Sequence, residues 1–374
     1  MREQIIKNVK RIVVKVGSSI LTTDAGYLSS QRVGKIVSDI VCLMKTHQKE
    51  VILVSSGAIA CGMSILKLKR RPHDLSTLQA AAAIGQGKLM NIYEKFFSQE
   101  GYHSAQILLT IDGLHHRTRY LNARNTVNSL LQLGAIPIVN ENDTVATEEI
   151  RFGDNDNLSA QVAMMTNADL LIILSDVDGF SVKHGRRHSV LSTVDTIDES
   201  LKDHLHTVEG GTTVGGMKSK LETAFFMMKL GLPTIIANGS RKDILTSLIR
   251  GEEKGTIFLP SKKRQASKKS WLAFTANLST TGTIVVDEGA YRALVERGKS
   301  LLASGITAIK GEYTFGDAVK IVNHQGKEFA KGITNFSHTD LALIKGQKTV
   351  FIKEQFGASG YDEVIHRDNM IILD

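Results

Sequence analysis

The residues of this 374-residue chain best suited to chemistry fall in six short stretches. Two are Gly- and Ser-rich turns that end apolar runs: Lys15-Val16-Gly17-Ser18-Ser19 and Ser55-Ser56-Gly57-Ala58. Glycine there lets backbone N–H groups come close to an anion, and Lys15 adds a cation. Two more are rich in carboxylates and amides: Asn140-Glu141-Asn142-Asp143, and Asp154-Asn155-Asp156-Asn157. The fifth, Ser175-Asp176-Val177-Asp178-Gly179, suits either a contact to a sugar hydroxyl or a plain Asx-turn. The sixth runs from Gly210 to Lys220, with four glycines and the lysines Lys218 and Lys220, before a helix expected to begin near Leu221. It reads as a mobile phosphate loop or as a flexible linker. Lysines at a helix start favour the first, because they oppose the helix dipole unless an anion arrives between them.

Together these parts suit phosphoryl transfer. That reaction needs cations on the equatorial oxygens, donors at the leaving oxygens and a carboxylate to orient the lysines or a metal. A covalent intermediate is disfavoured, since none of the six stretches holds a His or Cys. No Gly-Lys pair has the upstream glycine of a Walker A loop, and Gly-x-Gly-x-x-Gly is absent. Asp154-x-Asp156 opens like a calcium loop but then has Leu158, Ser159 and Met165 where a ligand, a Gly and a bidentate Glu belong. One helix cap needs one Asp or Asn, so four in a row point to function beyond capping.

Positioning these stretches requires a scaffold of alternating strands and helices. Short, β-branched apolar runs at 11–16, 51–54, 105–109, 136–139, 170–174 and 234–236 predict strands covered on both faces. Helical stripes lie between them, among them Val33, Ile36, Val37, Ile40, Val41 and Met44, and Leu221, Ala224, Phe225, Met228 and Leu232. Such alternation predicts a largely parallel sheet, with ligands beyond the carboxyl ends of its strands. After about residue 276 the texture changes to short strands at 283–286, 306–309, 318–322 and 370–373, with one helix near 287–297.

Composition narrows the class. With 42% hydrophobic residues the chain can build real cores, and no run approaches the ~20 apolar residues of a membrane span. The N-terminal Met1-Arg2-Glu3-Gln4 leads into a strand-like run with no secretory pattern. Cys42 and Cys61 make neither a disulfide framework nor a metal cluster, which suits a cytoplasmic protein with reduced thiols. The formal charge is +8, and residues 241–276 alone hold nine Lys and Arg against three Asp and Glu. That basicity belongs to a solvated connector. Residues 277–374 hold eleven against twelve, a poor footprint for RNA.

Joined together, the motifs are specific. Val14-Lys15-Val16-Gly17-Ser18-Ser19, Ser56-Gly57-Ala58-Ile59-Ala60, Leu121-Asn122-Ala123-Arg124, Asn140-Glu141-Asn142-Asp143, Gly153–Ala160 and Gly215-Gly216-Met217 resemble the bacterial glutamate 5-kinase family. Val286–Ala290 and His366–Met370 resemble its appended PUA domain. The resemblance implies an α/β amino-acid kinase fold over 1–258, an open αβα sandwich with a mostly parallel sheet. A basic linker at 259–276 and a small, mostly-β PUA barrel at 277–374 would follow. It also implies ATP-dependent phosphorylation of the L-glutamate side-chain carboxylate to L-glutamyl 5-phosphate in proline biosynthesis. Mg²⁺ on the nucleotide, inhibition by proline, and a homo-oligomer (dimer or tetramer) belong to the same implication. RNA binding is suggested only by analogy with other PUA domains.

Carried over by motif, Lys15 contacts the phosphates, Lys220 the transferring phosphoryl group, and Asp156 holds both lysines. Ser56, Asp143 and Asn155 bind glutamate. Ser175, Asp176, Val214, Gly215, Gly216, Met217, Lys218, Ser219 and Lys220, with Lys15, contact the nucleotide. Val214 stands where the family usually has Thr, and 180–187 lacks the Asp-Pro segment often found there. Sister kinases acting on acetylglutamate, aspartate or carbamate are the nearest rivals. The Asn140–Asp143 cluster and the PUA-like region favour glutamate.

Overall fold

The computed structural model describes residues 2–23, 26–68, 70–115, 117–146, 155–184, 187–196, 215–260, 282–347, 362–367 and 370–373. Asp154, Val214 and the basic run 261–276 lie outside the described residues. The chain divides into two compact units, Met1–Ile111 with Ala123–Arg264, and Asp112–Asn122 with Gln265–Asp374. Among the described residues no helix is long and apolar enough to cross a membrane.

A six-residue helix, Arg2–Lys7, stands where the sequence pattern suggests strand, and ten strands follow it in the first unit. They are β1 (Arg11–Val16), β2 (Glu50–Ser55), β3 (Ser104–Leu109), β4 (Ile136–Glu141), β5 (Leu170–Ser175), β6 (Ser181–His184), β7 (Arg187–Val190), β8 (Thr193–Val194), β9 (Thr234–Asn238) and β10 (Thr256–Phe258). Eight of them form one sheet, ordered β3-β4-β2-β1-β5-β9-β10-β8. From β3 across to β9 every pair is parallel; β10 then runs antiparallel to β9. β6 and β7 form a separate antiparallel pair, which gives residues 181–184 and 187 of the unusual stretch a structural place.

The faces of the sheet follow from the period-2 alternation of strand side chains. Ile12, Val14 and Val16 of β1 join one apolar cluster with Val33, Ile36 and Ile40 of the helix Ser30–Lys45, and with Leu89, Tyr93 and Phe97 of the helix Leu75–Gln99. Val13 and Lys15 therefore point to the opposite face, where the helix Asp156–Met165 packs on β1 and β5. The helix Gly215–Lys229 covers β9. It begins six residues before the expected start near Leu221. Glycine is a poor helix former, but Lys220 is tied by its side chain to Asp156 and to the carbonyl of Gly216, and tertiary contact overrides propensity.

In the second unit β11 (Gly282–Val286), β12 (Ile306–Gly311), β13 (Ala318–Val322), β14 (Glu328–Ile333) and β15 (Met370–Ile372) form one sheet, ordered β12-β11-β13-β14-β15. Only β11 and β13 pair in parallel. Asp287 caps the expected helix, Glu288–Val295, through the N–H of Ala290. The helix His338–Ile344, capped by Ser337, and β14 are additions to the sequence pattern. β14 hides from a period-2 search because its buried residues come in adjacent pairs, Phe329-Ala330 and Gly332-Ile333.

The helices Ala58–Ile65 and Leu75–Gln99 approach backbone to backbone. A Cβ on Gly85 would lie 1.9 Å from the carbonyl oxygen of Ala58, and one on Gly62 only 1.8 Å from that of Ala81. Gly87, two residues on, is exposed and has nothing within 4 Å of such a Cβ. Gly85→Ala is therefore expected to destabilise the fold by about 3 kcal/mol through overpacking. Gly87→Ala is expected to stabilise it by ~1 kcal/mol through helix propensity. Urea unfolding reads both, and shifts of equal sign would refute the close contact.

Candidate active site

β1 occupies the place where the strand order reverses, with β2 on one side and β5 on the other. The crevice beyond the carboxyl ends of such strands is the ligand site of an open parallel sheet. Lys15, Ser55, Glu141 and Ser175 all lie at that edge, each the last or next-to-last residue of its strand. Gly17 N donates to Leu174 O at 3.1 Å and Ser56 N to Val16 O at 3.1 Å, which stitches these strand ends together.

Three charged side chains meet there. Lys15 Nζ lies 2.6 Å from Asp156 Oδ1, and Lys220 Nζ lies 3.1 Å from Asp156 Oδ2. Lys220 also donates to Gly216 O at 2.9 Å, and Ser219 Oγ to Asp156 Oδ2 at 3.3 Å. Asp156 is 0% exposed, Lys15 1% and Lys220 7%. Burial at this depth is costly for any charge, so the pairing must be close. Asp156 opens its helix, where the dipole favours a carboxylate. Asn155, at the N-cap position, makes no capping bond with its side chain; its amide is used elsewhere.

Beside this triad lies a cavity of about 250 Å³, lined among others by Ser56, Arg71, Asn140, Glu141, Asp143 and Asn155. The three residues expected to bind an amino acid, Ser56, Asp143 and Asn155, thus share one wall system. Asn155 of the cavity lining directly precedes Asp156, which holds the lysine pair. Burial pushes the Asp143 carboxyl up to about 6, and the Arg71 guanidinium pulls it back down. Asn155 Nδ2 donates to Ser55 O at 2.9 Å and to Asn140 Oδ1 at 2.8 Å. Asn140 Nδ2 donates to Gln86 Oε1 at 2.8 Å, and Ser55 Oγ is 2.9 Å from Tyr93 OH.

Similarity to known proteins places the chain in a family. Residues 10–238 match the model of the amino acid kinase family, and residues 282–356 that of the PUA domain. The chain is 46% identical to the glutamate 5-kinase of Caldanaerobacter subterraneus subsp. tengcongensis, over 97% of this chain and 98% of that one. It is 45% identical to the glutamate 5-kinase of Carboxydothermus hydrogenoformans over the full length of both. The chain belongs to the glutamate 5-kinase family.

In this amino acid kinase the β5 turn separates two aspartates that spacing alone left equivalent. Asn238 Nδ2 and the Arg241 guanidinium hold Asp178, at 3.0 and 2.8 Å, and keep its carboxyl below the usual range. Asp176 is exposed beyond β5 and accepts from the buried Ser175 at 3.0 Å. Asp178 is thus a structural clasp, and Asp176 is exposed just past the carboxyl end of β5. Gly215, Gly216, Met217, Lys218, Ser219 and Lys220 form the first turns of their helix, and Val214 falls outside the described residues.

Arg71, Gln86 and Tyr93 escaped the sequence motifs. Arg71 gives no local signal. Gln86 and Tyr93 do, because both interrupt with polar atoms a stripe formed with Ala82 and Leu89 on one helix face.

Removing the carboxylate would leave two buried ammonium groups without their shared counter-charge. Asp156→Asn is expected to lower unfolding free energy by about 3–5 kcal/mol. Adding Lys15→Met should recover part of that loss. Strictly additive losses in this double-mutant cycle would show that the two groups do not interact.

Proposed function

We propose that the chain transfers the γ-phosphoryl group of ATP to the side-chain carboxylate of L-glutamate, giving L-glutamyl 5-phosphate, the first step of proline biosynthesis. The observation that carries the reading is the nearness in the chain of two sites: a small cavity lined by Asn155 among others, and a lysine pair held by its neighbour Asp156. A carboxylate oxygen of glutamate attacks the γ-phosphorus, the bond to the β–γ bridging oxygen breaks, and ADP leaves with that oxygen. Little covalent work falls to the protein. Lys15 lies against the phosphates, and Lys220 follows the migrating group, whose charge it stabilises in transit. Asp156 touches neither substrate in this reading; it fixes both lysines.

Ser56, Asp143 and Asn155 bind glutamate, and Arg71 offers the cation that the α-carboxylate needs. An acetylated amine would set a neutral amide against Asp143 and Glu141, so acetylglutamate is rejected. Ser175, Asp176 and the helix start from Gly215 to Lys220 take the nucleotide. Among the described residues no group of three or more His, Cys, Asp or Glu is placed to hold a metal ion. By family resemblance Mg²⁺ would arrive on the phosphates of ATP, where it would supply charge neutralisation. Two cysteines that form no disulfide framework suit a cytoplasmic setting, and family resemblance adds feedback inhibition by proline and a homo-oligomer, dimer or tetramer. The near-neutral charge of residues 277–374 supports a role for the PUA domain other than RNA binding.

An assay coupled to ADP release should show turnover with glutamate and none with acetylglutamate, aspartate or carbamate; turnover with a rival alone would refute the assignment. Lys15→Met and Lys220→Met are each expected to lower kcat by ~10²–10³. The pH profile gives a further check. Asp143 must be ionised to attract an ammonium, and its carboxyl titrates near 6. Below that pH it takes up a proton, so kcat/KM for glutamate should fall, approaching roughly tenfold per unit. Asp143→Asn should abolish that limb.

A further inference from the structure

Asn140 and Asn155 in the wall of the cavity, and Gln86 behind them, are three amides whose orientation is set by the backbone. Glu141 N can only donate, and it lies 2.9 Å from one terminal atom of Asn140, so that atom is Oδ1. Ser55 O can only accept, and it lies 2.9 Å from Asn155, so that atom is Nδ2. The same Nδ2 gives its second hydrogen to Asn140 Oδ1 at 2.8 Å. Asn140 Nδ2 is then left facing Gln86 at 2.8 Å, and Gln86 must present Oε1. Two peptide groups decide all three side chains.

The consequence appears inside the cavity, which Asn155 lines. Both of its N–H bonds are spent in the wall, so Oδ1 is the only group it can offer a ligand. An acceptor oxygen there attracts an ammonium and repels a carboxylate. Gln86 carries the cost of this arrangement: its Nε2 is buried with no hydrogen-bond partner among the described residues. An orphaned donor of this kind costs ~1–3 kcal/mol, which marks Oε1 as the atom the site requires. Seven residues along the same helix face, Tyr93 holds the hydroxyl of Ser55, whose carbonyl anchors Asn155.

We propose that Gln86 is a positioning residue that, through Asn140, locks Asn155 with its oxygen toward the α-ammonium of glutamate. This rests on the glutamate reading above. It assigns to a side chain outside the substrate cavity the discrimination between an amino acid and a plain dicarboxylic acid.

The test compares glutamate with glutarate, which lacks the α-ammonium, in the full-length enzyme. Gln86→Met removes the acceptor at similar volume. It should raise KM for glutamate by ~10-fold or more, within the range that an unsatisfied buried group implies. KM for ATP should stay within about twofold, and the glutamate-to-glutarate ratio of kcat/KM should drop by about the same factor as glutamate binding. Gln86→Glu keeps an acceptor oxygen and should restore both values toward wild type. Thermal unfolding of each variant comes first, and Gln86→Leu replaces Gln86→Met if the latter does not fold. If neither apolar variant folds, a Gln86→Glu ratio near wild type upholds the role and a collapsed ratio refutes it. Wild-type enzyme that fails to turn over glutamate sinks the function itself. Active wild type, with apolar variants that keep their glutamate KM or lose glutamate and glutarate equally, overturns the positioning role alone.

Discussion

One buried carboxylate holds two lysines that lie more than two hundred positions apart in the chain. Asp156 gives one oxygen to Lys15 and the other to Lys220. Two ammonium groups brought this close in a low-dielectric interior repel strongly, and only an anion between them makes the arrangement tolerable. The positions of three elements follow from it: the strand that carries Lys15, the helix that Asp156 begins, and the helix whose first turns carry Lys220. It also draws the start of that last helix back into a glycine run that would not be helical by propensity alone.

Strand parity does the next part of the work. Lys15 reaches Asp156 because odd positions of β1 face the helix Asp156–Met165, whereas even positions enter the apolar cluster under the helix Ser30–Lys45. A slip of one residue would bury the ammonium among Val and Ile. The parallel pairing of β1 with β2 and β5 then puts Ser55, Lys15 and Ser175 at one edge. Glu141 and the Asn140 amide join them from β4. The crevice is therefore a product of topology before any ligand is considered.

A rigid floor supports the polar wall. The backbone-to-backbone contact of Ala58–Ile65 with Leu75–Gln99 fixes the long helix relative to the Ser55–Ala58 turn. Gln86 and Tyr93 are carried on that helix at a spacing of two turns. Their bonds to Asn140 and Ser55 need placement to a few tenths of an ångström, and glycine at 62 and 85 is what allows the helices to approach so closely.

Much of this was legible along the chain. The six apolar runs became the six parallel strands, because uninterrupted β-branched segments of that length suit a sheet covered on both faces. The residues carried over by resemblance at Ser56, Asp143 and Asn155 share one cavity, and Lys15, Asp156 and Lys220 one cluster. β14 stayed hidden because its burial comes in pairs, and Arg71 because an exposed arginine carries no local pattern. Which of Asp176 and Asp178 is held as a clasp depended on Arg241 and Asn238, some sixty residues away. Local chemistry along the chain determined which residue types stand ready at each strand end. Only the folded arrangement decided their partners and which atom of each amide meets the cavity, because hydrogen-bond direction is set by neighbours in space that no spacing in the sequence records.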